Sequence, residues 1–338
     1  MYPQNQWYAA AWSQDVTNEP LARTICGEDI VLYRQPDGRA VALADRCWHR
    51  QAPLSMGRVL DNGDLQCPYH GLEFNGEGVC TRVPSQECPP RKARVRAYPL
   101  SERHRFVWVW IGDADEVDER LIPGLHWNDH LDWVGEGGTL TIACNFKLLV
   151  DNLMDLTHET YVHSTTIGDE KLPGAPVDTS VENGEVSVRR VIPDHDPAPF
   201  WKAEIANALE YQGHCDRWQI IRFIPPSCIA IDVGVAVAGT GGPEGHREQG
   251  VNAYVINAIT PIDERNTLYL WNFVRNFDRG NAQRTADIQK RIEGVFLEDV
   301  AMLEGQQRAM DRGGETRMVT LKIDSGIAAA RRMIDTLI

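Results

Sequence analysis

The 338-residue chain contains no apolar run approaching the ~20 residues that span a bilayer. A transmembrane anchor is therefore not expected. The first residues, among them Gln4, Asn5 and Gln6, lack the charged and apolar regions of a secretory signal. No Gly-x-Gly-x-x-Gly fingerprint is present, so the chain does not read as a dinucleotide-binding dehydrogenase. No Cys-x2–4-Cys knuckle of the kind zinc ribbons favour occurs either. Basic residues are few: 34 Lys and Arg stand against 48 Asp and Glu, a formal net charge of −14. That balance argues against nucleic acid or an anionic membrane as partner, and suits solubility or docking to a basic surface. Cys26, Cys80, Cys88, Cys144, Cys215 and Cys228 show no framework spacing and are expected to be reduced thiols of a cytoplasmic protein. Internal repeats and low-complexity segments are absent.

Two short runs carry cysteine and histidine together: Cys47-Trp48-His49 and Cys67-Pro68-Tyr69-His70, with 17 residues between His49 and Cys67. Two thiolates on one iron and two imidazoles on the other make a Rieske [2Fe–2S] centre. Neutral imidazole puts less charge on its iron than thiolate does. Reduction becomes easier, and such centres span roughly −150 to +300 mV. The same four residues could hold a structural zinc. Pro68 and Gly71 suit two facing turns that present the ligands from loop tips.

The run from Asp151 to His163 crowds polar groups into what otherwise reads as a buried helix. Asn152, Asp155 and His158 recur every three residues on one face. His163 leaves that face, lying about 140° from His158 on a regular helix. For both imidazoles to meet one metal, the helix must end or widen between them. Far down the chain, Ile288, Ile292, Val295, Phe296, Met302 and Leu303 trace one helical stripe between Thr285 and Met310. Asp299 falls inside that stripe, while the adjacent Glu298 is expected to point aside toward solvent. A buried carboxylate costs several kcal/mol unless a partner or metal compensates it. His158, His163 and Asp299 would form the 2-His-1-carboxylate triad of mononuclear non-haem iron(II) oxygenases. An ion pair of Asp299 with Arg291 or Arg308 is the competing explanation.

Together these motifs resemble the oxygenase component of the Rieske non-haem iron oxygenases. The likeness extends over nearly the whole chain and includes Met1-Tyr2-Pro3, Trp7-Tyr8, the Cys67–Glu73 run, Asp216-Arg217-Trp218-Gln219-Ile220, and Glu298-Asp299 with Met302-Leu303-Glu304. It points to the O-demethylase branch. The resemblance implies that Cys47, His49, Cys67 and His70 hold the [2Fe–2S] cluster, and that His158, His163 and Asp299 hold the catalytic iron. It implies that Asp155 bridges a cluster histidine of one subunit to an iron-binding histidine of its neighbour, in a head-to-tail homotrimer. Asn152 is carried as a further candidate catalytic residue. Dioxygen is the implied co-substrate, and electrons from NAD(P)H arrive through a separate flavin or iron–sulfur reductase. The implied substrate is a methoxylated aromatic acid of the vanillate type, converted to a phenol and formaldehyde. Another aromatic acid or an aryl methyl group, and a pure electron-transfer role, are the alternatives. Trp48 departs from the proline many relatives carry. Respiratory Rieske proteins have a disulfide across the cluster loops, whereas Ala52 and Tyr69 stand at the corresponding positions here.

The order of elements predicts an α+β chain. Residues 1–115 read as an antiparallel β Rieske domain, with strands such as Ile30–Tyr33 and Phe106–Ile111 and an acidic linker after Gly112. Residues 116–338 read as the catalytic domain, an antiparallel sheet gripping a ligand-bearing helix. Strands are expected at 140–144, 185–188, 218–223 and 269–273. The Gly- and Pro-rich loops 168–178 and 239–250 are expected to move, the first as a gate over the iron. Arg189, Arg190, Arg217, Arg222 and Arg275 could each pair with a substrate carboxylate, and Trp218, Trp271 and Phe273 could line a ring pocket. All eight suit ordinary structural roles as well.

Overall fold

The computed structural model describes residues 1–168, 172–313 and 318–338. Two compact units divide them: Tyr2–Ile122 with Thr260–Asp263, and Pro123–Ile259 with Glu264–Ile338. The break falls at Ile122 rather than at 115. The turns beyond Ile111 stay with the first unit because buried indoles need acceptors there: Trp110 Nε1 donates to the Asp113 carbonyl at 2.8 Å and Trp7 Nε1 to that of Asp118 at 2.9 Å. Residues 260–263 join them through Cys26 N to Pro261 O, 2.7 Å, and Gly27 N to Ile262 O, 2.8 Å. A segment so distant in sequence could not be assigned to the first unit from local pattern.

The first unit contains three antiparallel sheets. β1 (Gln6–Trp12), β9 (Leu100–Arg103) and β10 (Phe106–Ile111) form one, in the order β1-β10-β9, and β2 (Leu21–Ile25), β3 (Glu28–Arg34) and β4 (Ala40–Ala44) form another. The third is built from four short strands, β5 (Arg58–Val59), β6 (Leu65–Gln66), β7 (Glu73–Phe74) and β8 (Cys80–Arg82). Cys47 and Cys67 are themselves members of a buried apolar cluster with Val31, Tyr33, Leu43, Leu54, Leu65 and Phe74. The cluster-loop cysteines are thus anchored in a core.

The second unit is one seven-stranded antiparallel sheet in the order β11-β17-β16-β15-β14-β13-β12. Its strands are β11 (Val134–Ile142), β12 (Asp178–Glu182), β13 (Glu185–His195), β14 (Cys215–Ile224), β15 (Cys228–Val237), β16 (Gly250–Pro261) and β17 (Thr267–Arg275). The expected strand at 140–144 starts earlier and stops at Ile142. Among the described residues five helices accompany the sheet: α1 (Phe146–Leu153), α2 (Glu159–Val162), α3 (Pro199–Leu209), α4 (Ala282–Gly313) and α5 (Ser325–Thr336). Asn145 starts α1 by accepting from Lys147 N at 3.0 Å, and Asn281 starts α4 by accepting from Arg284 N at 3.0 Å. The buried face of α4 is Thr285, Ile288, Ile292, Val295, Phe296, Asp299, Leu303 and Gln307. Met302, expected on that stripe, is instead 57 % exposed. At 100° per residue it stands beside Leu303 on the flank.

The 239–250 segment is tied down rather than loose. The Asp216 carboxylate accepts from Gly239 N at 3.0 Å and Gly241 N at 3.2 Å, and Arg247 grips Asp232 at 2.7 Å. The proposed gate at 168–178 includes residues 169–171, which lie outside the described residues. No described helix is long and apolar enough to cross a membrane.

Candidate active site

The two cluster loops of the first unit are built alike. Cys47 N donates to Ala52 O and Gln51 N to Cys47 O, both at 2.9 Å; Cys67 N donates to Leu72 O at 2.7 Å and Gly71 N to Cys67 O at 3.1 Å. The fifth residue of each loop is left-handed, Gln51 at φ 58° and Gly71 at φ 71°. Glycine takes that conformation at no steric cost, whereas Gln51 must tolerate it. Both thiols are buried and both imidazoles exposed, with the His49 and His70 ring centres 4.6 Å apart. Burial raises the Cys47 thiol pKa to about 11, and the neighbouring Cys67 adds to the rise. Such a thiol ionises readily only when a metal takes the place of the proton. Two buried sulfurs side by side with two imidazoles at the rim fit a Rieske cluster.

In the second unit, helix α1 ends at Leu153, earlier than the pattern suggested. Asp155 ends it by capping the next turn: Oδ1 accepts from Thr157 N at 2.6 Å and Thr157 Oγ1 at 2.7 Å, and Oδ2 from His158 N at 3.2 Å. Asn152, Asp155 and His158 therefore do not share one continuous helix. His158 and His163 flank the single turn α2, and their rings lie 5.3 Å apart. Both Nε2 atoms approach one oxygen of Asp299, at 3.5 and 3.2 Å. Ligand atoms of all three residues fall within 4.8 Å of one another. Arg291 pairs with Glu204 and Arg308 with Glu304, so the arginine explanation of Asp299 is not the one realised. Asn152 Nδ2 donates to Asp299 Oδ1 at 3.0 Å and helps to orient it.

Each histidine is backed by a second carboxylate. His158 Nδ1 stands 3.5 Å from Asp155 Oδ2, long for a hydrogen bond, and finds no closer acceptor among the described residues. His163 Nδ1 and Glu298 Oε2 are 2.6 Å apart, and Thr166 Oγ1 donates to the same oxygen at 3.2 Å. Burial works to lower the His163 pKa, but Asp299 and Glu298 overcome it and raise it. Metal binding at Nε2 therefore competes with a proton there. For Asp155, burial works upward, while the contacts with His158 and Thr157 win and hold its carboxyl below the usual range.

Beside these three side chains lies a cavity of about 110 Å³. Its floor is the sheet face bearing Gln219, Ile221, Ile231, Val233 and Val255; helix residues Leu153, Leu156, Ile292, Val295 and Phe296 complete the wall. Mostly aliphatic walls with a few polar groups at one place suit a small ring-shaped ligand.

Residues 142–338 match the vanillate O-demethylase oxygenase C-terminal domain family, and residues 6–99 match the Rieske [2Fe–2S] domain. The chain belongs to the Rieske non-haem iron oxygenases. The oxygenase is 42% identical to the vanillate O-demethylase oxygenase subunit of Pseudomonas sp. (strain HR199 / DSM 7063), over 100% of this chain and 95% of that one. It is 36% identical to the toluene-4-sulfonate monooxygenase system iron-sulfur subunit of Comamonas testosteroni, over 100% and 97%. A crystal structure of dicamba monooxygenase bound to 3,6-dichlorosalicylic acid superposes with a TM-score of 0.91 at 33% identity, covering 99% of this chain and 97% of the other. Like other oxygenase components it works with a Rieske cluster, a mononuclear iron and electrons from a separate reductase.

The oxygenase uses one residue that sequence reasoning placed wrongly. Glu298 is directed at His163, not at solvent, because the flank of α4 that carries it faces α2. Metal-bound histidine ordinarily hands its far N–H to a carboxylate, so an acid adjoining a proposed ligand was the available signal. Glu298→Gln is expected to weaken iron retention about 10–100-fold. Iron content after graded chelator treatment measures it, with the Rieske absorbance as the unaffected internal standard. The proposed ring-binding aromatics belong to the core: Trp218 donates to Asp232 at 2.8 Å, while Trp271 packs on Phe296 and Phe273 on Phe200. Among the arginines, Arg189 pairs with Glu244, Arg222 with Glu185, and Arg275 donates to Thr285.

Proposed function

We propose that the oxygenase O-demethylates a methoxylated aromatic acid of the vanillate type. The convergence of His158, His163 and Asp299 beside an aliphatic cavity carries this reading. Cys47, His49, Cys67 and His70 would hold the cluster, and the triad would hold iron(II). Held by these two imidazoles and one carboxylate, iron(II) would supply the activation of dioxygen. The aliphatic wall seats the ring and excludes water. Glu298 keeps the proton of His163 on Nδ1, leaving Nε2 free to ligate, and Asp155 does the same for His158. In a head-to-tail homotrimer, Asp155 would also reach a cluster histidine of the neighbouring subunit.

The net change is ArOCH3 + O2 + 2e− + 2H+ → ArOH + CH2O + H2O. One oxygen atom enters a methyl C–H bond, the hemiacetal collapses to the phenol and formaldehyde, and the other atom leaves as water. A flavin and iron–sulfur reductase would draw the electrons from NAD(P)H. The likeness to the toluene-4-sulfonate system favours a second reading, hydroxylation of an aryl methyl group, which releases no formaldehyde. A pure electron carrier would need the first unit alone and leaves the triad unexplained.

With NADH, a compatible reductase and a panel of methoxylated benzoates including vanillate, formaldehyde is expected to match the NADH consumed on at least one acid. NADH and oxygen consumption without formaldehyde across the panel would remove the demethylase reading.

A further inference from the structure

The cavity floor runs on into a buried ion cluster. Along β14, Arg217, Gln219 and Ile221 alternate onto one face of the sheet. Gln219 and Ile221 already line the cavity, and so does Glu159 from the turn above. Glu159 Oε2 accepts from Arg190 Nη2 at 2.5 Å and Gln219 Nε2 at 2.8 Å, and its Oε1 accepts from Arg217 Nη2 at 2.5 Å. Arg190 spends its other donors on Gln219 Oε1 and, at 2.8 Å, on Leu156 O. Glu159 and Arg190 are satisfied.

Arg217 is not. Its Nη2 reaches the carbonyl of Ile167, a cavity residue, at 3.4 Å. Its Nε and Nη1 are buried and have no hydrogen-bond partner among the described residues, in a side chain only 2 % exposed. Among the described residues, two guanidinium groups share this one hydrogen-bonded carboxylate, directly behind cavity residues Glu159, Ile167 and Gln219. Unpartnered buried N–H groups on a cation are among the costlier features a protein can keep.

We propose that Arg217 recognises the carboxylate of the substrate, offering it the N–H groups that lack a partner. This rests on the aromatic-acid reading and assigns the residue that makes acidity a requirement. Of the five arginines considered from sequence, it is the one with donors to spare next to the cavity. The ring finds its place on Ile221, Ile231 and Val233. Its anionic substituent is drawn to Arg217 and repelled by Asp155 and Asp299, so the charges sort one end of a substituted benzoate from the other.

The test is calorimetric binding of 3-methoxybenzoate and the neutral 3-methoxybenzamide to holoenzyme, for wild type, Arg217→Gln and Arg217→Lys, with iron content checked in each. The wild type is expected to favour the acid about 10–100-fold. Arg217→Gln should erase that preference and Arg217→Lys should keep part of it. A purely structural role would weaken both ligands or lose iron, leaving the acid-to-amide ratio unchanged. An unchanged ratio in Arg217→Gln, or no acid preference in the wild type, overturns the proposal. If Arg217→Gln does not fold, the wild-type ratio and its fall in Arg217→Lys decide. Formaldehyde assayed on the same proteins, now supplied with NADH, a compatible reductase and dioxygen, separates the two readings. Acid preference that depends on Arg217 without formaldehyde removes demethylation and keeps the anion site; formaldehyde with an Arg217-independent ratio does the reverse.

Discussion

Asp299→Ala is expected to leave a red-brown, fully reducible Rieske protein that contains about two irons per chain instead of about three and releases no product. Asp299 is the sole carboxylate of the triad, and both imidazole Nε2 atoms lie within 3.5 Å of its Oδ1. Without it, the two imidazoles remain in a pocket walled by Ile292, Val295 and Phe296. No anionic ligand is then left to offset the charge of a divalent ion there. The Rieske domain match, residues 6–99, lies in the other compact unit, so the cluster's visible absorbance should persist. Metal analysis and the spectrum of the reduced protein check both halves. Full iron content with normal turnover would show that Asp299 is not a ligand. Asp299→Asn separates charge from shape, because the amide fills the same volume.

Asp155→Asn is expected to retain about three irons per chain and still react slowly. The amide oxygen can go on capping Thr157 N, so the α1–α2 break should survive. What changes is the group facing His158 Nδ1, 3.5 Å away: an acceptor gives way to an N–H donor. The ring then loses the nearest carboxylate to Nδ1, the one group placed to take its N–H by a small closing of this gap once Nε2 is bound. Starting from pre-reduced protein with substrate, reoxidation of the cluster by dioxygen should slow by about 10–100-fold. A single-turnover rate equal to wild type would remove Asp155 from the coupling between centres. Asp155→Ala is less informative, since it destroys the cap as well.

Much of this site was legible from residue types. Two Cys/His runs and a carboxylate within an apolar helical stripe carried chemistry that few structural roles explain, and Asp299 lies where the stripe put it. The demand that the helix break so both histidines can meet was sound, but the break lies upstream, at Leu153. Met154 and Leu156 continue the helical pattern, and only the capping geometry of Asp155 shows where hydrogen bonding changes partners. Asp, Ser and Thr at a helix start are recognisable caps, so that signal was present. Glu298 was misplaced for a different reason. A helical wheel gives an angle, not what lies at that angle, and α2 arrives there from far away in sequence. Strands β15 and β16 and helices α3 and α5 were not anticipated; α3 opens with Pro199, which marks a helix start only when its flanking register is known.

The neighbouring acids Glu298 and Asp299 hold His163 from its two nitrogens, one at 2.6 Å and the other at 3.2 Å. Their roles are set by the phase of a single 32-residue helix. One residue inserted or deleted between Ile288 and Phe296 would rotate the C-terminal half of α4 by about 100° relative to the stripe that fixes the helix on the sheet. Glutamate and aspartate could not both keep their places. Length changes within this family should therefore gather in the loops on either side of α4, and the span from Ile288 to Leu303 should behave as a ruler of fixed length.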